Sequence, residues 1–106
     1  MQVKWVSIAL DDFREAIEYI TQDNPEAARE IARRIWAATQ NLKNNPEIGR
    51  PGRVLNTREL VVSDTPFIIP YRVENKIIQI LRVLHGARKW PQKFQFRSGN
   101  DIKKSR

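Results

Sequence analysis

Six residues in the second half of the chain carry the groups best suited to gripping a charged or proteinaceous partner: Arg58, Arg72, Arg82, His85, Arg88 and Trp90. A guanidinium presents a planar fork of N–H donors that matches carboxylates and phosphates, and it stays charged at physiological pH. Trp90 offers one large, rigid aromatic anchor. His85 is the sole histidine, and imidazole is the side chain that exchanges a proton near neutrality. With Arg82 and Arg88 close by in sequence, and Glu59 as a base if it faces them, His85 is able to do acid–base work. Its plainer use is to turn the chain off a strand, bonding to backbone before Gly86. Six residues of these types make a recognition surface for something anionic and leave the reaction open.

The placement of charge points the same way. Formal net charge is +7. Residues 1–48 hold six Lys/Arg against eight Asp/Glu, whereas residues 49–106 hold thirteen against four. The front half reads as scaffold and the back half as working surface, an asymmetry larger than solubility alone requires. At 106 residues the chain suits one small domain with one layer of helices on one sheet. It has no cysteine, which removes disulfides and thiolate metal sites, and neither a cofactor nor a metal is expected. No apolar run reaches the roughly 18–20 residues that span a bilayer. The N-terminus lacks the basic leader and apolar stretch of a signal peptide. A cytoplasmic protein, with no membrane partner, is the expectation.

The elements that must position these groups are legible from periodicity. Val3 and Trp5 alternate with Gln2 and Lys4, as in a half-buried strand. Ser7 is expected to cap a helix with Asp11 and Asp12 in its first turn, followed by Phe13, Ala16, Ile17 and Ile20 at helical spacing. Asn24-Pro25 predicts a stop and immediate restart, Asn24 as cap and Pro25 at the first helical position. Ala28, Ile31, Ile35, Ala38 and Leu42 then define a second apolar stripe, ended by Asn44-Asn45-Pro46. Trp36 falls beside that stripe as a core or boundary aromatic. Three strand runs follow, Arg58 to Val62, Phe67 to Val73 and Ile77 to Leu84, split by Ser63–Pro66 and Glu74–Lys76. The third run is apolar on both faces, as a doubly covered strand would be.

Alternation puts Phe67, Ile69, Tyr71 and Val73 opposite Ile68, Pro70 and Arg72. It groups Ile78, Ile80, Arg82 and Leu84 on one side of the third run. The reading that follows is an apolar face left bare by the helices, with Arg72 and Arg82 side by side on it, ready for another chain. Pro70 requires either a position whose missing N–H faces no partner or a bulge.

The order β-α-α-β-β-β, an α+β fold with a helical hairpin on one face of a small, mainly antiparallel sheet, resembles the RelE/ParE superfamily of bacterial toxins. The resemblance rests on Gly49-Arg50-Pro51-Gly52-Arg53, Thr57-Arg58-Glu59-Leu60-Val61, Pro66 to Val73, and Leu81-Arg82-Val83-Leu84-His85-Gly86-Ala87-Arg88. It covers residue 3 to about residue 91. It implies the toxin of a type II toxin–antitoxin pair, often described as a plasmid stabilisation protein, neutralised by an antitoxin from the neighbouring gene. Two chemistries are implied. One branch poisons DNA gyrase through protein contacts and needs no catalytic residue of its own. The other cuts mRNA on the ribosome, for which Arg58, Arg82 and His85 are the candidates here. Ile68 stands where nuclease members carry an arginine, and Thr57–Val61 replaces their lysine-rich strand. Both departures favour gyrase. In that branch the C-terminal segment is implicated in toxicity, which directs attention to Arg88-Lys89-Trp90-Pro91.

Residues 92–106 lie beyond the resemblance and read as a basic tail on a toxin domain of residues 1–91. Within it Ser98–Asp101 has the composition of a flexible run, and Phe94 and Phe96 are placed to form a short strand or a docked turn.

Overall fold

The structure is a computed structural model that describes residues 1–94. Phe96 and Ser98–Asp101 lie outside the described residues. A first strand, β1 (Gln2–Trp5), leads into the helices α1 (Ser7–Asp23) and α2 (Pro25–Asn41). Strands β2 (Arg50–Pro51), β3 (Arg58–Val61), β4 (Phe67–Glu74), β5 (Ile77–Ile80) and β6 (Leu84–His85) follow. The sheet order is β1-β5-β4-β3-β2, with β6 continuing along β4 beyond the end of β5. Among the described residues β1 and β5 run parallel, and the remaining pairs are antiparallel. The expected α+β architecture is the one observed.

Local chemistry explains the hairpin of helices. Asn24 accepts a hydrogen bond from the Ala27 N–H at 3.1 Å, and Pro25 opens α2 where its lack of an N–H costs nothing. The start of α1 differs from expectation. Val6 holds the capping position without a side-chain bond, and Ser7 is already helical. Asp11 and Asp12 therefore fall past the first turn, and Asp12 is available for a distant partner.

The two helices bury Ala9, Ile35 and Leu42 against Leu60, Ile69, Tyr71, Ile78 and Ile80. Each such aliphatic side chain contributes about 1.5–3 kcal/mol on burial. On the same face Trp5 packs against Phe13 and lies stacked beside Trp36, ring centres 6.3 Å apart. Trp36 itself is half exposed, a boundary aromatic. Phe94, on the tail side of the expected boundary, is buried and joins the core.

Between β4 and β5 the turn is two residues long, Asn75 and Lys76, both with positive φ (54° and 63°). That is the twist-matched hairpin turn that Asn-Gly favours, built here with lysine in the glycine place.

The long third run is not one regular strand. Register with β4 shifts by one residue between Tyr71↔Ile80 and Ile68↔Leu84, so a bulge occupies Leu81–Val83. The bulge lies beside Pro70, whose carbonyl accepts from the Leu81 N–H. Proline's missing donor thus faces the one place where the ladder is interrupted.

The pairing of β4 with β5 corrects the assignment of faces: Ile80 stands opposite Tyr71, so Ile78 and Ile80 face the helices. Arg72 stands opposite Gln79, on the side away from the helices. Arg82, two residues beyond Ile80, lies on that helix side too and binds Asp12 of α1. The two arginines do not share a face. Nor is the helix-free side bare: Glu59, Pro70, Gln79 and Leu81 are all buried.

Candidate functional site

A groove of about 550 Å³ runs between α1 and β6. Its floor is apolar, formed by Ala16 and Ile20 of α1, Ile31 of α2, and Phe67, Val83 and Leu84 of the sheet. The rims differ in sign. Asp12 and Glu15 line the α1 side, with the exposed ring of Tyr19, whereas Arg88 and Lys89 line the other beside Trp90. The groove exists because β1 pairs only with Ile77–Ile80 and stops there. Past the bulge, β6 pairs with β4 on one side and, among the described residues, with no strand on the other.

That edge is partly capped by the protein's own side chains. Asp12 accepts from Arg82 Nε at 2.7 Å and Nη2 at 3.0 Å, and from the Val83 backbone N–H at 3.0 Å. Trp90 Nε1 donates to the His85 carbonyl at 3.1 Å, which also receives the Arg88 N–H. An unpaired strand edge is a template for another chain, and side-chain caps of this kind protect it.

Three of the six candidate residues, His85, Arg88 and Trp90, meet at this groove. The His85 ring stands edge-on to Phe67, and its Nδ1 accepts the Ala87 N–H at 3.2 Å. That is the backbone-bonded, chain-turning role. Arg82 sits behind the groove in its ion pair with Asp12, both largely buried. Arg58 and Arg72 are elsewhere. They line a second depression with Pro46, Glu47 and Asn56. Arg58 donates to the carbonyls of Glu47 and Gly49 and so fastens the loop after α2. Arg72 spans Gln79 and Glu74. Arg58, Arg82 and His85 therefore occupy three different settings and do not converge on one point.

Sequence reasoning passed over a third cluster. Glu59 projects from β3 on the helix-free side, only 4% exposed, and binds two guanidiniums. Arg50 places Nε and Nη2 on one carboxylate oxygen at 3.1 and 3.0 Å. Arg53 gives its backbone N–H at 2.9 Å and its Nε at 3.3 Å to the other. Burial alone would raise the Glu59 pKa. The bonds from the Arg53 backbone and the Arg50 side chain, with the two positive charges, outweigh it and hold the carboxyl below its usual range. A base so thoroughly engaged is poorly suited to taking a proton. The signal in sequence was a lone acid in an apolar strand, a few residues after two arginines. Over this cluster the Arg53 guanidinium carbon lies 3.6 Å from the centre of the Trp90 ring, a cation–π contact.

The glycines of Gly49-Arg50-Pro51-Gly52 allow the close packing on which the cluster depends. A Cβ on Gly49 would stand 2.7 Å from the Tyr71 ring, and one on Gly52 would stand 2.3 Å from the Thr57 hydroxyl. Tyr71 uses its phenol to join Pro46 and Gly49, donating to the Pro46 carbonyl at 2.7 Å and accepting the Gly49 N–H at 2.9 Å. Among the described residues no group of acids, histidines or cysteines has the arrangement of a metal site, and no helix is long and apolar enough to cross a membrane.

Comparisons with known proteins agree on one family. The model for the ParE toxin of the type II toxin–antitoxin system, parDE, matches residues 3–90. Y4kP of Sinorhizobium fredii, named as a toxin, is 43% identical over 91 residues, covering 86% of this chain and 94% of that protein. Toxin RelE2 of Caulobacter vibrioides is 39% identical over 87 residues, 82% of this chain and 97% of its own length. A chain of the chromosomal ParDE system from P. aeruginosa superposes with a TM-score of 0.74 at 32% identity, covering 80% of this chain and 95% of that one.

Proposed function

The chain belongs to the ParE toxin family of type II toxin–antitoxin systems, and we propose that it arrests growth by poisoning DNA gyrase, with its antitoxin seated in the groove between α1 and β6. The observation that carries the gyrase half is the dispersal of the nuclease candidates. RNA cleavage by a 2′-hydroxyl needs a base, an acid and a charge stabiliser around one phosphate. Here Arg58 is spent on loop carbonyls, Arg82 on Asp12, and Glu59 on two arginines. His85 has its Nδ1 turned to backbone. Inhibition by protein contact asks for none of that convergence. It asks for an anchored aromatic among cations, which Arg88, Lys89 and Trp90 supply.

The groove supports the antitoxin half. An apolar floor between an acidic and a basic rim suits an amphipathic polypeptide segment, whose own charges fix its direction. This reading implies a cytoplasmic protein, since gyrase and the chromosome are there.

The test is a supercoiling assay with purified gyrase. The toxin is expected to block supercoiling, to leave cleaved DNA, and to lose both effects when its antitoxin is added. The name of the relative RelE2 motivates a parallel arm for the alternative, an mRNA endoribonuclease: cut messages in a translating extract, with gyrase untouched, would overturn the proposal.

A further inference from the structure

Of the groove's two walls, the C-terminal one has almost no regular structure. After His85 the described chain holds only turns, bends and irregular segments. Such a segment keeps one shape only if specific contacts hold it. Trp90 is its central fixture: it lines the groove, its N–H is bonded to the His85 carbonyl, and the Arg53 guanidinium lies against its ring.

Arg53 comes from the connection between β2 and β3, and its orientation is imposed. Glu59, on the side of the sheet away from the helices, takes both its backbone N–H and its Nε. Arg50 occupies the other oxygen of the same carboxylate, which leaves Oε2 to Arg53. Held at its backbone and at Nε, Arg53 has its guanidinium fixed in place, and the carbon at its centre lies 3.6 Å from the centre of the Trp90 ring.

We propose that Arg53, oriented by Glu59, is a positioning residue that seats Trp90 and thereby sets the shape of the partner groove from the other side of the sheet. The inference rests on the groove being the antitoxin's site. Without Arg53 the indole regains rotamer freedom, and a partner must reorder it on binding.

The experiment reads Trp90 directly. Hydrogen exchange of its indole Nε1–H is followed by NMR in the full chain, and binding is measured with the fluorescently labelled product of the neighbouring antitoxin gene. Arg53→Gln is expected to speed indole exchange by roughly three- to tenfold, the range a cation–π contact supports. It should weaken antitoxin binding by a similar factor, with the Ile69 and Ile80 amides unchanged. Arg53→Lys, which keeps the charge but lacks the planar fork, should recover only part of either effect, and Arg33→Gln, which removes an equal charge from α2, should produce neither. Unchanged indole exchange in Arg53→Gln overturns the proposal. If Trp90→Ala weakens binding and Arg53→Gln does not, the positioning role is wrong while the groove assignment stands. If Trp90→Ala also leaves binding intact, the groove assignment itself fails.

Discussion

The two faces of one sheet are held by different physics. On the helix side, Ile69, Tyr71, Ile78 and Ile80 meet Ala9, Ile35 and Leu42 in a dry aliphatic layer. On the other side, Glu59 gathers Arg50 and Arg53, and Arg72 bridges Gln79 and Glu74. The first face gains from apolar area removed from water, which is large and non-directional. The second gains from a few oriented charge-assisted bonds, each modest where a partner remains in water. Global stability therefore belongs mainly to the helix side, and local geometry around the C-terminal segment belongs mainly to the other.

Breaking the aliphatic layer should have the largest effect. Ile35→Ala is expected to cost about 2–5 kcal/mol, by lost burial plus the cavity left behind, measured as a lower midpoint in urea with an unchanged slope. A loss under about 1 kcal/mol would mean the layer is looser than its burial implies. Next comes Tyr71→Phe. It keeps the ring but orphans the Gly49 N–H and the Pro46 carbonyl, for about 1–3 kcal/mol. In the wild type the Tyr71 hydroxyl is pushed up from its ordinary value of 10.0, chiefly by burial. A raised pKa adds stability below the unfolded value that is lost as pH rises past it. The wild type should thus weaken above pH 10 more than Tyr71→Phe does.

The charged face predicts a smaller change with the opposite pH sign. Glu59→Gln is expected to cost about 1–2 kcal/mol at neutral pH, a charge-assisted figure discounted because both arginines are half exposed. The depressed Glu59 carboxyl contributes stability above the unfolded value near 4.5, lost as pH falls through the lower folded value. Urea titrations at pH 7 and pH 3 check this: the gap between wild type and Glu59→Gln should shrink in acid. An unchanged gap would remove the carboxylate's charge from the account. The smallest effect is a gain. Lys76 sits at φ 63°, so Lys76→Gly should stabilise by about 0.5–1 kcal/mol on relief of backbone strain, seen as a rise in Tm.

Much of this was readable in the chain itself. Asn24-Pro25 marked the break between helices, because a cap and a missing N–H are local chemistry. The stripe through Ile31, Ile35 and Leu42 identified the buried helix face by spacing alone. The same holds for the Asn75-Lys76 turn, whose position between two β-rich runs fixed the hairpin even with a lysine in an awkward conformation.

Side-chain partnership was a different matter. Alternation grouped Ile78, Ile80 and Arg82 correctly, but pairing with β4 decides which side they face, and Ile80 stands opposite Tyr71 while Gln79 stands opposite Arg72. Beyond the bulge the one-residue shift does reverse the pattern, so His85 rather than Leu84 stands opposite Phe67. Arg82 found Asp12 seventy residues away, and Arg53 found Trp90 across the sheet edge. Sequence by itself determined which segments are helix or strand and which faces are oily, since those follow from near neighbours. Only the tertiary structure decided which charges meet, because that depends on which strands pair, in which register, and on which loops they bring within bonding distance.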